Sequence, residues 1–346
     1  MADEIQKLFG VDVPVVLGPF GGLSSVDLTA AVCNGGGLGS FGLYGYSGAR
    51  IRETAAALRA RTDRPVNLNL WLPAGTEVEP AEVDLAPYLE ALAPLFAAAG
   101  TDLSSPPERF LPSLDEQLDA VWDAAPAVLS VVFGVPGPDL VDEAHRRGIR
   151  IIGTATSVAE ARALDAGGVD VIVASGAEAA GHKVTFLGEP ADSLVGTVAL
   201  VPQVVDAVGV PVIAAGGIAD RRGAAAALAL GASGVQVGTA FLRTRQSAAS
   251  PGHRAALAAA GDTGTVLTRA MSGRLARGIP NRAVREIDAI GAIAPFPAQN
   301  WLTGVFRSAA AGDPELSSLW AGQAAGLARR DDATDVLAEL AAGLGR

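Results

Sequence analysis

The chain has 346 residues, of which 49% are hydrophobic and 5% aromatic, and its formal net charge is −11. This length allows one large α/β unit or two smaller domains, and because there is no basic cluster we do not expect it to bind nucleic acid. The single cysteine, Cys33, excludes a disulfide framework and a paired-thiol metal site. No secretory signal pattern and no apolar run of about 18 residues is present, so we expect a cytoplasmic protein without a membrane partner.

The predicted elements alternate between strands and helices. Most of the strand-like runs are hydrophobic throughout, which is typical of parallel strands covered on both faces. Helices are predicted between several of them, for example from Ser157 and from Asp220, each ending near a glycine. This order predicts an α/β fold, a (β/α)8 barrel. The eight predicted strands are Val13–Leu17, Gly39–Phe41, Pro65–Leu70, Ala127–Phe133, Arg150–Thr154, Asp170–Ala174, Pro211–Ala215 and Gly234–Gly238.

Two regions depart from this alternation. Residues 72–125 are rich in proline and helical in pattern, so they are predicted to form a helical excursion between the third and fourth strands. Residues 251–346 contain no convincing strand and are predicted to form a helical subdomain that packs over the barrel mouth. The barrel itself is therefore assigned to residues 1–250. Trp301 and Trp320, both in the predicted subdomain, are expected to pack rather than to line a pocket.

The segment Gly209–Leu242 is typical of a phosphate site. It reads as an apolar strand, a turn at Gly216 and Gly217, a helix that Asp220 begins, and a second strand with a Gly-Thr end. Glycines free backbone N–H groups to point at one spot, and the start of a helix adds its positive dipole end. Parallel barrels place such sites after their seventh and eighth strands. The segment therefore predicts a phosphorylated cofactor or substrate.

A second candidate segment, Ala174–His182, follows the predicted sixth strand. It would lie at the carboxyl end of the barrel, where barrel enzymes place their catalytic groups. Its small residues would let a flat ring lie close to the backbone, and it ends in one of the three histidines of the chain. Histidine suits proton abstraction because its unperturbed pKa of about 6.5 lies near neutrality. His182 is therefore the candidate base, whereas His145 and His253 are expected to be structural.

Two further stretches are expected at the same end of the barrel. Gly18, Pro19 and Phe20 follow the first strand, and their backbone would face the mouth. Asn69 lies near the end of the third strand, where a buried amide needs hydrogen-bond partners that a cofactor ring could supply. No cluster of His, Cys and carboxylate residues has the spacing of metal ligands, so no metal is predicted.

The order of several motifs resembles that of the nitronate monooxygenase family. The resemblance spans nearly the whole chain and includes two motifs in the C-terminal region that a generic barrel would not share. The motifs are VVLGPFGGLS, CNGGGLGSFG, VNLNLW, SGAEAAGH, AAGGIADRRGAAAALALGASGVQVGTAF, TRAMSGRLARGIPN and LWAGQAAGLAR.

The resemblance implies a TIM barrel with an added helical subdomain and noncovalent FMN. His182 matches the catalytic histidine of the family, and Asn69 matches its flavin-contacting asparagine. Family members often have Gln at the position of Ser175 and Gly at that of Ala180, which leaves FMN binding expected but the substrate open. The other residues that the resemblance assigns to the flavin are Gly18, Pro19, Phe20, Gly181, Gly216, Gly217, Gln236, Val237, Gly238 and Thr239.

The activity that this resemblance implies is oxidation of alkyl nitronates or nitroalkanes by O2 to carbonyl compounds and nitrite. His182 would remove the proton next to the nitro group or hold the resulting nitronate. The alternative is an FMN-dependent enoyl-thioester reductase that uses NAD(P)H, which would share the barrel and the histidine loop. A flavin-free isomerase or synthase acting on sugar phosphates would satisfy the phosphate loops alone. The expected partners are a small-molecule substrate and O2, and a homo-oligomer is left open.

Overall fold

The computed structural model describes residues 2–103 and 105–345. Eight of its strands are parallel and pair in the order β1-β9-β8-β6-β5-β4-β3-β2, and a parallel bridge between Val16 and Leu38 joins β1 to β2. The sheet is thus a nearly closed (β/α)8 TIM barrel, as predicted. The strands in chain order are β1 (Val15–Leu17), β2 (Gly39–Gly42), β3 (Val66–Trp71), β4 (Val128–Val132), β5 (Arg150–Ala155), β6 (Val171–Ser175), β7 (Gly181–His182), β8 (Val212–Ala215), β9 (Gly234–Val237), β10 (Val266–Thr268) and β11 (Ala276–Gly278).

Helices surround the barrel. Several begin at the capping residues expected from the sequence: Ser157 accepts from the N–H of Glu160, and Asp220 accepts from the N–H groups of Arg222 and Gly223. The helices are α1 (Ala2–Phe9), α2 (Val26–Asn34), α3 (Gly48–Arg59), α4 (Ala86–Ala99), α5 (Leu114–Ala124), α6 (Pro138–Arg146), α7 (Val158–Ala166), α8 (Thr197–Val205), α9 (Arg221–Ala229), α10 (Thr239–Leu242), α11 (Pro251–Ala259), α12 (Arg282–Ile290), α13 (Ala298–Ala309) and α14 (Ala333–Gly343).

The barrel interior is filled at the end where the strands begin. Ile5 and Phe9 of α1 pack with strand residues such as Val16, Val171 and Ile213, all of them buried. A second, larger cluster fills the space between the strands and the outer helices. The β-branched residues that predicted the strands therefore face apolar neighbours on both sides. This packing closes one end of the barrel and leaves the carboxyl ends of the strands to form a cavity.

The helical subdomain is built from two separate parts of the chain. Leu92 and Phe96 of α4 share one hydrophobic cluster with Ile287 of α12 and with Leu302 and Phe306 of α13. The excursion after β3 therefore packs with the C-terminal helices. The second helix of the excursion, α5, instead packs on the barrel helix α3.

A small antiparallel sheet lies outside the barrel. It has the order β10-β11-β7, with His182 opposite Ala276 and Leu267 opposite Arg277. We predicted no strands in residues 251–346. This prediction is wrong, because β10 and β11 lie there. Each of the three strands has only two or three residues, which is too short for an alternating pattern to develop.

The last helix, α14, packs against α9 and α2. Val336, Leu337 and Leu340 of α14 belong to the same hydrophobic cluster as the barrel strands and helices. In a (β/α)8 barrel the position between the seventh and the first helices belongs to the eighth, and α10, which directly follows β9, has only four residues. α14 thus acts as the eighth barrel helix. The boundary at residue 250 between the barrel and a C-terminal subdomain stays a prediction. α14 comes after this boundary in the chain, but it packs against the barrel helices α9 and α2.

Candidate active site

A cavity of about 390 Å³ lies at the carboxyl ends of the barrel strands. Its volume falls within the range of small-molecule and cofactor sites. The structure brings twelve of the predicted flavin contacts and the candidate base together in its walls. These residues are Gly18, Pro19, Phe20, Asn69, Ser175, Ala180, Gly181, His182, Gly216, Gly217, Gln236, Gly238 and Thr239.

Val237 is the one predicted site residue that does not line the cavity. Its side chain is fully buried in the barrel core, and its carbonyl oxygen accepts a hydrogen bond from the N–H of Gly18 at 2.8 Å. The valine therefore holds the turn after β1 against the end of β9. Its contribution to the site is to position Gly18.

Glycines form a narrow cradle on one side of the cavity. Gly216 has a φ of +104° and Gly217 a φ of +71°, a region that residues with a Cβ rarely adopt. A Cβ on Gly18 would lie 3.1 Å from the Cα of Gly238, so the two loops touch through their glycines. Within residues 2–103 and 105–345, the N–H groups of Gly217 and Thr239 have no hydrogen-bond acceptor. The cradle therefore offers free donors to an anion such as a phosphate.

The start of α9 is not part of this cradle. The carboxylate of Asp220 accepts hydrogen bonds from the N–H of Arg222 at 2.9 Å and of Gly223 at 3.4 Å, and it also pairs with the Arg222 side chain. The first amides of α9 are thus occupied, and a negative charge lies beside them. The expectation that this helix start helps to hold a phosphate stays a prediction, and two of its N–H donors are already used by the capping residue.

Asn69 is held by a serine that the sequence reasoning missed. The Nδ2 of Asn69 donates to Ser130 Oγ at 3.0 Å and to the Ser130 carbonyl at 3.2 Å. Both residues are buried and line the cavity. The Oδ1 of Asn69 is the atom left to accept a hydrogen bond from a ligand. The signal for Ser130 was a lone hydroxyl inside the apolar run of β4.

His182 is fixed by the small outer sheet rather than by a loop. Its Nε2 lies 2.8 Å from Ser272 Oγ, and its ring lies between Trp71 and Trp320, with ring centroids 4.9 and 5.4 Å away. Burial, followed by the positive charges of Arg274, Arg307 and Lys183, lowers the pKa of His182 to about 3. The imidazole is therefore neutral at pH 7.

Charged side chains tie down the loop that precedes His182. Lys183 Nζ donates to the carbonyls of Ala177 and Ala179 at 3.1 and 2.7 Å, and Arg277 Nε donates to the Ala177 carbonyl at 3.0 Å. Burial and then the charge of Arg277 lower the pKa of Lys183 to about 7. Glu178 accepts from the N–H of Thr197 at 3.0 Å. These contacts hold the loop in place beside the cavity.

An aromatic and polar wall on the side of the subdomain was not predicted. Tyr44, Trp71, Asn300, Arg307 and Trp320 all line the cavity. Tyr44 and Trp71 lie with their ring centroids 4.3 Å apart, and a second cavity of about 290 Å³ lies against the same two residues. The expectation that Trp320 only packs is therefore wrong.

The remaining candidates lie away from the cavity. Trp301 packs in the subdomain cluster with its ring centroid 5.7 Å from that of Phe110, as expected. His145 pairs with Asp170, and His253 has its Nε2 3.0 Å from the carbonyl oxygen of Trp320. In the described residues, no three His, Cys, Asp or Glu side chains come together as metal ligands would. No helix in that part of the chain has the length and apolar character needed to span a bilayer.

Comparison with known proteins identifies the family. The profile described as "Nitronate monooxygenase" matches residues 3–343. The chain belongs to the nitronate monooxygenase family. A probable nitronate monooxygenase from Staphylococcus aureus (strain JH9) is 36% identical over 353 aligned residues, which cover 98% of this chain and 96% of the relative.

Solved structures agree with this family. A nitroalkane oxidase from Streptomyces ansochromogenes superposes with a TM-score of 0.89 at 36% sequence identity. The superposition covers 99% of this chain and 98% of the nitroalkane oxidase chain. FabK from Thermotoga maritima superposes with a TM-score of 0.77 at 28% identity, covering 99% of this chain and 95% of its own. The family and the nitroalkane oxidase neighbour indicate that the protein is a flavin-type oxidoreductase that acts on small molecules.

Proposed function

We propose that this nitronate monooxygenase family member binds FMN and oxidises alkyl nitronates or nitroalkanes with O2. Two nitronate anions and one O2 would give two carbonyl compounds and two nitrite ions, which balances atoms and charge. The observation that carries the proposal is the convergence of a glycine cradle with free N–H donors and a neutral imidazole on one cavity. The expected cytoplasmic location and the oligomeric state stay predictions.

The residues around the cavity fit FMN. Gly216, Gly217, Gly238 and Thr239 would hold its phosphate, because the free N–H groups of Gly217 and Thr239 suit an anion. Asn69 Oδ1 would accept from a ring N–H, and Ser175, Gln236 and the backbone of Gly18, Pro19 and Phe20 would help to hold the ring. Ala180 and Gly181 would leave room for the ring. When bound, FMN supplies the electron acceptance and the reaction with O2.

His182 would act on the substrate as a neutral imidazole. Ser272 Oγ donates to the carbonyl of Arg274 at 3.2 Å, so the Nε2–H of His182 is free to donate to Ser272, and Nδ1 keeps its lone pair. That nitrogen would accept the proton next to a nitro group. Trp71 and Trp320 enclose the ring and exclude water, which preserves the neutral form.

His182→Asn tests the role of the imidazole. The variant is expected to bind FMN as the wild type does, because the cradle lies elsewhere in the cavity. A positioned base contributes about 10²–10⁴-fold, so oxidation of neutral nitroalkanes should fall within that range, and oxidation of preformed nitronates should fall less. Oxygen consumption and nitrite release measure both reactions. Equal activity of variant and wild type on nitroalkanes would remove the base from the proposal.

The flavin is tested separately by anaerobic mixing. FMN reconstitution should give a yellow protein whose flavin is reduced by nitronate and reoxidised by O2. Rapid bleaching by NADH or NADPH, without reaction of nitronates, would favour the enoyl-thioester reductase instead. A protein that stays colourless after incubation with FMN would point to the flavin-free sugar-phosphate alternative.

A further inference from the structure

Ser130 of β4 is a buried serine whose hydroxyl group already accepts as many hydrogen bonds as it can. Its Oγ accepts from Asn67 Nδ2 at 3.0 Å and from Asn69 Nδ2 at 3.0 Å. A hydroxyl group has two lone pairs and one hydrogen to donate. Towards any further group, the Ser130 hydroxyl can therefore act only as a donor.

No group of the protein accepts the hydrogen of this hydroxyl. In residues 2–103 and 105–345, both hydrogen bonds of Ser130 Oγ are those that it receives from the two asparagines. Asn67 Oδ1 is buried and has no hydrogen-bond partner, so it does not accept from Ser130. A buried donor without an acceptor is destabilising. The hydroxyl group therefore requires an acceptor that a ligand would bring.

The position of Ser130 on β4 directs this donor to the cavity. Side chains alternate between the two faces of a strand, and Val128, two residues before Ser130, packs in the apolar cluster inside the barrel. Val132, two residues after it, lines the cavity, as do Ser130 and Asn69. Ser130 thus lies where the filled interior ends and the cavity begins, and the cavity is the side left for its hydrogen.

Asn69 supplies an acceptor next to this donor. It lies opposite Ser130 in the register of β3 and β4, and its Nδ2 also donates to the Ser130 carbonyl at 3.2 Å. Its Oδ1 is left free for a ligand. Thr154, Ser175 and Gln236 line the cavity too, but in the described part of the chain no hydrogen bond fixes the direction of their side chains. The protein fixes the direction of the donor and the acceptor at Ser130 and Asn69.

We propose that Ser130 is a cofactor-contacting residue that, together with Asn69, selects a ring in which a carbonyl lies next to an N–H. The Ser130 hydroxyl donates to the ring carbonyl oxygen, and Asn69 Oδ1 accepts from the adjacent ring N–H. The pyrimidine edge of an isoalloxazine carries its groups in this order. This inference rests on the proposed binding of FMN, and it adds a specificity-determining residue on β4.

Ser130→Ala tests the donor. Quenching of flavin fluorescence on titration with the full-length protein gives the dissociation constant, which should rise about 2- to 10-fold for FMN, the range expected for one neutral hydrogen bond. Riboflavin, which lacks the phosphate, should lose the same factor because the contact is made to the ring. The midpoint potential of bound FMN should become more negative, because a donor at a ring carbonyl favours the reduced ring, which carries more negative charge.

Ser40→Ala is the matched control. Ser40 Oγ also accepts from Asn67 Nδ2, at 2.9 Å, and Ser40 is fully buried, but it does not line the cavity. Both variants remove one acceptor of the same amide, so their urea unfolding without flavin should show a similar loss of stability. Ser40→Ala should keep the wild-type affinity for FMN and the wild-type midpoint potential.

Modified cofactors test the same contact in the wild-type protein, and they apply even if Ser130→Ala does not fold. Two FMN analogues carry sulfur in place of one of the two ring carbonyl oxygens, and sulfur is the weaker hydrogen-bond acceptor. The analogue with sulfur at the contacted position should bind more weakly than FMN. In Ser130→Ala this difference should disappear.

Several results would overturn the assignment. They are a Ser130→Ala protein with the affinity and midpoint potential of the wild type, a Ser40→Ala protein that loses as much affinity as Ser130→Ala, and equal binding of FMN and both sulfur analogues to the wild type. Each of these leaves FMN binding in place. A wild-type protein that binds no FMN would contradict the proposed function itself, and this contact with it.

Discussion

Replacing Gly216 by alanine is expected to weaken FMN binding as well as the fold. The residue has a φ of +104°, and a Cβ there would lie 3.0 Å from Thr197 Oγ1 and 3.2 Å from both Ala179 N and Gly176 O. Backbone strain of this kind costs about 1–3 kcal/mol. Because two of the contacts are with backbone atoms, the loop has to move by a few tenths of an ångström. That shift would move the N–H of Gly217 away from a phosphate.

The expected loss of affinity follows from that one donor. A hydrogen bond from an N–H to a charged group contributes about 1.5–3 kcal/mol, so FMN should bind about 10- to 100-fold more weakly to Gly216→Ala. Quenching of flavin fluorescence on titration with protein gives the dissociation constant. Urea unfolding of the flavin-free protein gives the change in stability, which should stay within the range for backbone strain.

Gly148→Ala is the matched control. Gly148 also has a positive φ, +74°, but a Cβ there would meet no atom within 4 Å, and it precedes β5 at the closed end of the barrel. It should lose a similar amount of stability and keep the wild-type affinity for FMN. If Gly216→Ala lost stability but bound FMN as tightly as Gly148→Ala, the phosphate would not lie on the Gly216 turn and the cradle would be refuted.

Two further changes test the barrel and the buried imidazole. Because the pKa of His182 is lowered from 6.5 to about 3, the unfolded chain binds the extra proton between these pH values. The free energy of unfolding should therefore fall as the pH drops below about 6.5, by up to about 1.4 kcal/mol per pH unit from this group. His182→Gln should flatten the slope of the free energy of unfolding, measured with urea, against pH. An unchanged slope would contradict the lowered pKa of His182. Leu340→Ala in α14 removes a fully buried side chain and should lower the free energy of unfolding by about 2–5 kcal/mol. Leu327→Ala, at a 40% exposed position, should lower it little. Equal urea midpoints for the two variants would mean that α14 does not complete the barrel.

The parts of the molecule that could be predicted are those with a local signal. Most barrel strands are short, buried runs that contain β-branched residues, and each predicted strand ends within two residues of the observed one. His182 and the Gly216–Gly217 turn were found in the same way, because a loop after a given barrel strand has a fixed place at the mouth. Their positions follow from chain order alone.

The missed residues depend on contacts between distant segments. Asn300 and Arg307 of α13 line the cavity, and Ser272 contacts His182. The hydrophobic period of α13 does not show which turn of the helix will face the barrel. Trp320 was expected to pack for the same reason. The place of α14 also had no local signal, because an amphipathic helix shows which face it buries but not against what.

The position of α14 has a consequence for how the chain reaches its native state. The groove between α2 and α9 stays open until residues 333–343 have been synthesised, and residues 243–332, which connect α10 to α14, are made first. Until then the apolar flanks of α2 and α9 are exposed, which is the state in which partly folded chains associate. Completion of the ring therefore waits for α14, and a chain that stops short of α14 would expose these flanks rather than form a smaller working barrel.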